Sequence, residues 1–506
     1  MQYGKGGGAM ACVIGIDGGT EGCRAHVFDL SGRPLGTASA AYATDFPAPG
    51  RAEQDPEDWW RALGEAVRGA VLAAGMEPED LAGLACDTTS CTVVAMDGAG
   101  RALRPALLWM DVRAHEEAAE LVRTGNPALR VNGAGAGPVS PEWMIPKSLW
   151  LARHEPHIWR QAERVGEYQD FLTFRLTGRW AASLNNLTMR WHYQTDHGGW
   201  PVSLLDAAGI PELRAKWPGE MVAPGESLGG LTAEAAAHLG LREGTPVAQG
   251  GADAFIAMIG LGVTEPGDLA LITGSSHLHL GIAEAEVHAK GVWGTYRDCV
   301  YPGKYVIEGG QTSTGSVIAW FKRHFAEGLS YEALNAAAMD LPVGAEGLLA
   351  VDHFQGNRTP HTDALARGAI TGLSLKHTPA HVYRALIEAV CLGTRSIVES
   401  FGEAFAPRRI VICGGTTRSP FWMQVHADTL GLPLELPEVT DATALGSAIC
   451  AAVGTGHHAS LEEGARAMVR IARTIEPAPG SHEAYEPLHA RYRAAYEALK
   501  PLREAP

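Results

Sequence analysis

Short apolar runs bounded by glycine alternate along this chain with longer runs of helical period, which is typical of an α/β protein. Near the start, apolar runs at 12–17, 23–30 and 34–42 are joined by the turns DGGT and SGRP. Small-residue turns of this kind predict an antiparallel meander. A helix is predicted from Pro56 to about Ala74, and the next strand, LAGLACD, ends at Asp87.

The rest of the chain continues this alternation. TVVAMDGAGRAL predicts a hairpin with an Asp-Gly turn, and residues 110–215 are predicted to be mostly helical. Apolar residues at helical spacing predict a long helix over 379–401, which the strand RIVICGG follows.

The opening plan recurs near residue 269. LALITGSSHLHLGIAE (269–284) is again an apolar run, a turn of small residues and an alternating run, so that residues 273–276 correspond to residues 17–20. This recurrence favours a duplicated α/β domain with a boundary near 250–265. Because small-residue turns are common, two unrelated hairpins would give the same pattern.

The length of the chain predicts its number of domains, and its net charge argues against some classes of binding partner. A chain of 506 residues predicts at least two domains. A net charge of −16 argues against nucleic-acid and anionic-membrane surfaces, which need clustered Lys and Arg. No apolar run approaches the ~20 residues of a membrane span. Residues 1–10 lack the apolar segment of a signal peptide and are expected to be a disordered tail.

Several chemistries have no signature here. The eight cysteines are scattered and form no CxxC, which predicts reduced, buried thiols and a cytoplasmic protein. There is no HExxH, no Walker A motif and no GxGxxG after a strand. A GxSxG occurs at 225–229, but Pro224 precedes it and the helix begins later, with Thr232 as its predicted N-cap. We therefore predict a surface loop there.

The turn DGGT has the chemistry of a phosphate site. Gly18 and Gly19 let a ligand approach backbone N–H groups, and Thr20 adds a hydroxyl. Asp17 can hold Mg²⁺ or its water. In isolation, the same residues also fit a tight hairpin without a ligand. The second turn, TGSS, offers donors without a carboxylate and could hold the other side of a polyphosphate.

Two further segments carry candidate chemistry. In VICGGTTRSPFW a strand runs into Gly414-Gly415, a place where a flat ring can lie, although packing alone also explains such glycines. In PVAQGGADAFIAMIG, Asp253 follows two glycines at a predicted helix N-terminus. Asp253 is either an N-cap or a general base.

Taken together, the chain resembles the FGGY family of carbohydrate kinases over roughly residues 11–455. The resemblance rests on DGGT, GGADA, TGSS, EGGQTSTGSVIAWF (308–321), GAITGLSLKHTPAHVYRALIEAV (368–390) and the Gly-Gly at 414–415. Within the family it is most similar to ribulokinases and other pentulose kinases, through CDTTSCTVV (86–94) and YVIEGGQTSTG (305–315). The chain is shorter than typical ribulokinases. Where the family often has an adenine-contacting asparagine, Ser419 stands.

The resemblance implies an α/β fold of two duplicated actin-like (ribonuclease H-like) ATPase domains with a cleft between them. The domains are expected at 11–252, on the sugar side, and at 253–456, on the nucleotide side. A helical extension is expected at 457–506.

It also implies a set of site residues. Asp253 is the expected catalytic base and Asp17 the expected Mg²⁺ residue. The expected ATP contacts are Gly18, Gly19, Thr20, Thr273, Gly274, Gly315, Gly414, Gly415 and Ser419. The expected sugar contacts are Asp87, Ser90, Trp109, Asp111, Lys147 and Glu308. For each sugar contact, a purely structural polar role fits the sequence equally well.

Three functions are compatible with these residues. The first is ATP-dependent phosphorylation of a terminal hydroxyl of a pentulose such as ribulose. The second is a kinase of the same family for xylulose, glycerol or another polyol. The third is a non-catalytic, actin-like sugar- and nucleotide-binding protein, against which Asp253 argues because a binding protein needs no base. A homodimer is only the default expectation.

Overall fold

The computed structural model describes residues 11–132, 139–289 and 291–502. The predicted tail at 1–10 lies outside these residues.

The described residues form 21 strands and 17 α-helices. The strands are β1 (Cys12–Gly18), β2 (Gly22–Asp29), β3 (Pro34–Ala41), β4 (Glu53–Gln54), β5 (Leu81–Thr88), β6 (Val93–Met96), β7 (Ala106–Leu107), β8 (Arg164–Glu167), β9 (Ala181–Ser183), β10 (Glu220–Val222), β11 (Ser227–Gly230), β12 (Pro246–Ala248), β13 (Asp268–Thr273), β14 (His277–Ala283), β15 (Gly294–Arg297), β16 (Tyr305–Gln311), β17 (Leu349–Val351), β18 (Ala369–Thr371), β19 (Arg409–Gly414), β20 (Leu434–Pro437) and β21 (Ile471–Ile475).

The helices are α1 (Pro56–Ala74), α2 (His115–Arg123), α3 (Met144–His154), α4 (Pro156–Gln161), α5 (Tyr168–Thr177), α6 (Leu184–Arg190), α7 (Val202–Ala208), α8 (Leu213–Lys216), α9 (Ala233–Leu239), α10 (Asp253–Gly260), α11 (Gly315–Phe325), α12 (Tyr331–Met339), α13 (Pro379–Ser400), α14 (Pro420–Leu430), α15 (Ala442–Gly454), α16 (Leu461–Met468) and α17 (Ser481–Leu499).

The opening meander and the first helix are confirmed. β1, β2 and β3 pair as antiparallel neighbours, with one register shift between β2 and β3 at Val27/Phe28. Helix α1 begins where Asp55 accepts a hydrogen bond from the Glu57 N–H and ends at Gly75, which is left-handed. These are the ordinary start and stop signals of a helix, so local sequence alone determines its bounds.

The chain divides into two units. The first unit contains the described residues up to Thr264 together with Tyr296–Tyr305 and Asp441–Arg470. Its central sheet has the strand order β11-β12-β5-β1-β2-β3. β1 is antiparallel to β2 and parallel to β5, and β5 is parallel to β12, so β1 lies at the middle of the sheet.

The second unit repeats this plan. It contains Glu265–Thr295, Val306–Thr440 and the described residues from Ile471 onwards. Its strand order is β16-β14-β13-β19-β20-β21, and β15, along which the chain passes from one unit to the other, lies beyond β16. β13 is antiparallel to β14 and parallel to β19, as β1 is to β2 and β5. The matching strand order and directions confirm the predicted duplication.

The units are interleaved in sequence rather than consecutive. Helix α15 belongs to the first unit because it packs directly on β1: a Cβ on Gly15 would lie only 1.8 Å from the Ala444 carbonyl oxygen. The segment 457–506, expected to be a helical extension, supplies α16 to the first unit and both β21 and α17 to the second.

The expectations for the cysteines, the GxSxG segment and Thr232 have clear outcomes. All eight cysteines are buried and free, as predicted. The GxSxG segment is a loop only at Gly225 and Glu226, because Ser227–Gly230 forms edge strand β11 and pairs with β12. Thr232 does cap the following helix, where its side chain accepts a hydrogen bond from Ala235 N–H. No helix in the described residues is long and apolar enough to cross a membrane.

Candidate active site

Two aspartates stand side by side near the carboxyl ends of parallel strands. Asp17 on β1 is paired directly with Asp87 on β5. Asp87 Oδ2 accepts a hydrogen bond from Ser447 Oγ at 2.7 Å, and its buried Oδ1 has no hydrogen-bond partner among the described residues. Burial, and then the charge of Asp17, raise the pKa of Asp87 well above its usual range. Burial and the charge of Asp441 likewise raise the pKa of Asp17.

One ion pair lies next to these carboxylates. Arg24 faces Asp17 in the β1–β2 ladder, and its Nη1 lies 2.6 Å from Asp441 Oδ2 and 3.9 Å from Asp17 Oδ2. His26 Nε2 lies 3.2 Å from the same Asp441 oxygen. Burial alone would raise the pKa of Asp441, but hydrogen bonds from His26 and Arg24 lower it below its usual range. Asp441 therefore stays ionised and keeps Arg24 beside Asp17.

The turn after Asp17 is held by side chains from outside the hairpin. Gly19 N–H donates to the Gly22 carbonyl at 3.0 Å. Tyr42 Oη donates to the Gly19 carbonyl, and Gln54 Nε2 donates to the Thr20 carbonyl at 2.7 Å. Trp109 Nε1 donates to Thr20 Oγ1 at 3.0 Å. The turn is thus fixed before any ligand arrives.

The surface of this turn is open. A groove of about 380 Å³ is lined by residues 17–24 without Gly18, and by Ser39–Ala41. A Cβ on Gly19 would touch only Gly22 O at 3.4 Å and Asp17 Oδ1 at 3.8 Å, so the space above this glycine is empty.

Asp253 is the first residue of α10. The N-cap is Ala252, so the prediction that Asp253 is an ordinary N-cap is wrong. Its Oδ1 accepts a hydrogen bond from Ala254 N–H at 2.7 Å. Although the residue is partly exposed, burial of the carboxylate and the charge of Asp17 raise its pKa to about 7, against the opposing effects of the Ala254 N–H hydrogen bond and the charge of Arg190. A pKa near neutrality suits a general base.

The two glycines before Asp253 allow a close approach to the sheet. A Cβ on Gly250 would lie 1.9 Å from Cys86 O, and one on Gly251 would lie 2.6 Å from Asn185 Oδ1. Asn185 Oδ1 accepts from Ala252 N–H at 2.9 Å, and Thr88 N–H donates to Gly251 O at 3.0 Å. Asp253 is therefore brought to the strand end that carries Asp87.

Two predicted sugar contacts have their polar atoms engaged within the protein. Lys147 is fully buried and its Nζ donates to the carbonyl oxygens of Cys91, Leu107 and Leu108, which uses all three protons. Burial lowers its pKa to about 8. Asp111 is also fully buried and binds the Arg113 guanidinium with both oxygens. These two side chains hold the loops in place and leave no free donor on Lys147.

The other predicted sugar contacts differ in exposure. Ser90 is partly exposed beside Cys91, whose φ is 64°. Trp109 is 38% exposed, so it does not fill the core. Glu308 lies on β16 in the second unit and is buried, and its carbonyl oxygen accepts from Trp293 N–H at 2.8 Å.

In the second unit, the TGSS turn is packed against the start of α11. Thr314 N–H donates to Ser275 O at 2.9 Å and Gly315 N–H to Gly274 O at 3.2 Å. A Cβ on Gly315 would lie 2.4 Å from that Gly274 oxygen. Gly274 and Gly315 are therefore in direct contact, next to Thr273 in sequence.

Gly414 ends β19 directly opposite Thr273 of β13. Its φ is 99°, and a Cβ there would lie 1.8 Å from Thr273 O, so packing alone requires a glycine at this position. Thr273 Oγ1 donates to Cys413 O and accepts from Thr416 Oγ1, both at 2.6 Å. Gly414 and Gly415 are nevertheless both exposed, which leaves an open backbone surface next to the TGSS turn.

Ser419 caps helix α14. Its Oγ accepts from Trp422 N–H at 3.2 Å and donates to Asn335 Oδ1 at 3.0 Å. Its hydroxyl proton is thus already used within the protein.

Four residues that contact this site were not identified from the sequence patterns: Arg24, Tyr42, Gln54 and Asp441. Arg24 follows from the hairpin register, which puts it opposite Asp17. The contacts of Tyr42 and Gln54 with the turn, and that of Asp441 across 417 residues of sequence, have no local signal. Within the described ranges, no group of three or more His, Cys, Asp or Glu side chains is arranged to hold a metal ion by itself.

Two family models match this chain. The N-terminal domain of the FGGY family of carbohydrate kinases matches residues 12–260, and the C-terminal domain of the same family matches residues 269–455. Together they cover most of the chain, including the central sheet of the first unit and that of the second unit apart from β21.

Individual proteins agree with this match. A ribulokinase from Bacillus licheniformis is 32% identical over 481 residues, which cover 88% of this chain and 86% of that protein. An FGGY carbohydrate kinase domain-containing protein from Xenopus laevis is 32% identical over 530 residues, with 94% of each covered. The crystal structure of a xylulose kinase from Rhodospirillum rubrum superimposes with a TM-score of 0.87 at 31% identity and covers 97% of this chain and 99% of that one.

These matches confirm the actin-like two-domain ATPase fold and the predicted enzyme class. The chain belongs to the FGGY family of carbohydrate kinases and is a sugar kinase, in a family that uses ATP as its phosphate donor.

Proposed function

We propose that this protein transfers the γ-phosphoryl group of ATP to a terminal hydroxyl of a pentulose such as ribulose. Similarity to the Bacillus licheniformis ribulokinase over most of both chains supports this substrate class. The Rhodospirillum rubrum xylulose kinase favours xylulose as the second candidate.

The observation that carries the proposal is the setting of Asp253. A carboxylate with a pKa of about 7 accepts a proton readily near neutral pH, and the two glycines before it fix its backbone against the strand that bears Asp87. We assign Asp253 the role of accepting the proton of the attacking sugar hydroxyl. General-base catalysis of this kind typically contributes ~10²–10⁴-fold to the rate.

The residues around DGGT fit a nucleotide phosphate accompanied by Mg²⁺. Asp17 supplies a carboxylate at the strand edge, while the empty space above Gly19 admits phosphate oxygens to the backbone. Mg²⁺ keeps most of its waters and needs few protein carboxylates, so a single Asp17 suffices. Bound there, the ion would neutralise phosphate charge. We propose Gly18, Gly19 and Thr20 as phosphate contacts, with Arg24 as a nearby cation.

The second unit would hold the rest of the nucleotide. We propose that Thr273, Gly274 and Gly315 approach the phosphates and that the exposed Gly414-Gly415 surface supports the nucleoside. For the sugar, we retain Asp87, Ser90, Trp109 and Glu308 as proposed contacts, whereas Lys147 and Asp111 would position their loops.

The proposed function is tested by ADP release from MgATP in the presence of separate sugars. Ribulose, xylulose, glycerol and an aldopentose such as ribose form a sufficient panel. We expect the highest kcat/KM with a ketopentose. A preference for glycerol, or ADP release that no sugar stimulates, would overturn the proposal.

Replacing Asp17 by asparagine should raise the Mg²⁺ concentration needed for half-maximal activity, because the carboxylate charge that attracts the ion is lost. The KM for the sugar should change less. Asparagine can still cap the hairpin turn, so a purely structural Asp17 predicts nearly normal behaviour. Titration of the rate with Mg²⁺ distinguishes a metal-binding role of Asp17 from a purely structural one. Superimposable curves for the wild type and the variant would mean that Asp17 is only a structural turn residue.

Replacing Gly19 by valine should weaken MgATP binding about tenfold or more, because the branched side chain would occupy the space that phosphate needs. The fold should tolerate the change, since the nearest atoms to a Cβ lie at 3.4 Å or beyond. Titration calorimetry with MgATP and with sugar measures both affinities. Gly219→Val is the matched control, because a Cβ there has no atom within 4 Å. Normal MgATP binding with lost sugar binding would reverse the assignment of this turn.

A further inference from the structure

The position where the family often carries an asparagine is occupied in this chain by a serine whose side chain is committed to the fold. Ser419 Oγ accepts from Trp422 N–H and so caps α14. The same oxygen donates its only proton to Asn335 Oδ1 at 3.0 Å. Ser419 therefore has no proton left to offer a ligand.

Asn335 comes from a different element, helix α12, and reaches the same place. Its Oδ1 accepts two hydrogen bonds, from Ser419 Oγ at 3.0 Å and from Tyr383 Oη at 2.9 Å. Burial raises the pKa of Tyr383 above its usual range, so its hydroxyl keeps the proton that it donates. Both hydroxyl protons are directed to Oδ1, which leaves the NH₂ group of Asn335 outside these two hydrogen bonds.

The other end of this amide is available. Asn335 Nδ2 has no hydrogen-bond partner in the part of the chain that the structure describes, and the side chain is only partly buried. One turn of 3₁₀ helix, Gly415–Arg418, separates the exposed Gly414-Gly415 surface from Ser419. At about 2 Å per residue this turn spans roughly the width of a purine ring.

We propose that Asn335 is the residue of this chain that recognises the purine base of the nucleotide, with its Nδ2 donating to a ring nitrogen while Ser419 and Tyr383 hold its Oδ1. This inference rests on the proposed placement of the nucleoside on Gly414-Gly415. In this proposal the amide that binds the purine base comes from α12 and not from the segment that follows Gly414-Gly415.

Asn335→Asp tests the proposal most cleanly. The aspartate keeps an oxygen that accepts from Ser419 and Tyr383, but it replaces the proposed donor by an acceptor that repels a ring nitrogen. Titration calorimetry with MgADP, without sugar, should show a loss of roughly five- to tenfold in affinity. Binding of magnesium tripolyphosphate, which has no base, should be unchanged. Asn335→Leu should lose a similar factor for MgADP.

Ser330→Ala is the control for the helix itself. Ser330 caps α12 through Ala333 N–H and has no part in the proposed site, so this variant should bind MgADP like the wild type. Unchanged MgADP affinity in both Asn335 variants would overturn the proposal, as would an equal loss for tripolyphosphate. Wild-type protein that binds MgADP but phosphorylates no sugar would remove the proposed substrate and leave the role of Asn335 intact. Absence of MgADP binding by the wild type would overturn both.

Discussion

Replacing Asp253 by asparagine is expected to reduce kcat by about 10²–10⁴-fold while leaving the fold and nucleotide binding intact. The amide has the shape of the carboxylate and its oxygen can still accept from Ala254 N–H, so α10 should begin as before. Only the ability to take the hydroxyl proton is lost. Single-turnover phosphoryl transfer, together with MgADP titration and circular dichroism, separates chemistry from binding and folding.

The pH dependence gives an independent check on the same residue. Because the pKa of Asp253 is raised to about 7, the carboxylate is protonated below neutrality and cannot accept a proton there. The kcat/KM of the wild type should therefore fall as the pH decreases through about 7, whereas an ordinary aspartate would stay active down to about pH 4.

A matched control is available in the same unit. Asp97 closes an exposed hairpin turn by accepting from Ala99 N–H and Arg101 N–H, away from the proposed site. Asp97→Asn should keep wild-type kcat. A near wild-type kcat for Asp253→Asn would show that Asp253 is not the general base.

Acidification is expected to destabilise the second unit through three buried histidines. The ring centroid of His277 lies 6.5 Å from that of His279 and 5.6 Å from that of His426. All three side chains are fully buried. Burial and the neighbouring imidazoles lower the pKa of His277 well below 6.5 and that of His279 to about 3, and burial lowers that of His426 to about 3. These residues are neutral in the folded state.

The direction in which the free energy of unfolding changes with pH follows from the protons bound by the folded and unfolded states. Below pH 6.5 the unfolded chain takes up protons that the folded core refuses, so the stabilisation is complete above pH 6.5 and is lost as the pH falls toward about 3. In this pH range, each histidine lowers the free energy of unfolding by about 1.4 kcal/mol for each pH unit of acidification, and the three together lower it by about 4 kcal/mol per pH unit. Carboxyls with raised pKa, such as Asp170 at about 8, act in the opposite direction.

A variant comparison isolates the histidines from those carboxyls. The difference in free energy of unfolding between the wild type and His279→Phe should change by about 1.4 kcal/mol for each pH unit below 6.5, in favour of the variant. Urea unfolding at several pH values from 7.5 to 5 measures it. The same substitution at the exposed His457 is the control. A difference independent of pH would contradict the buried neutral state.

Features encoded by neighbouring residues could be predicted from the sequence. The meander, α1 with its Asp55 cap and Gly75 stop, and the start of α10 at Asp253 all have local signals. Asp17 and Asp87 could also be expected to meet, because both come near the carboxyl ends of parallel strands.

What the sequence does not reveal depends on distant packing. Nothing near Asp441 indicates that it holds Arg24, since that contact requires α15 to pack on β1. Lys147 looks like a sugar contact in sequence, yet three backbone carbonyls converge on it in the fold. Asn335 carries no motif, and only its meeting with Ser419 across two helices marks it.

The reaction that we propose for this enzyme is phosphorylation of the terminal hydroxyl of a pentulose. Proton-coupled phosphorus NMR of the product formed from MgATP and ribulose tests it most directly. We expect a new phosphomonoester signal that is split into a triplet by the two protons of a primary carbon. A doublet would place the phosphate on a secondary hydroxyl, and inorganic phosphate without a monoester would mean that water is the acceptor; either result would overturn the proposed reaction.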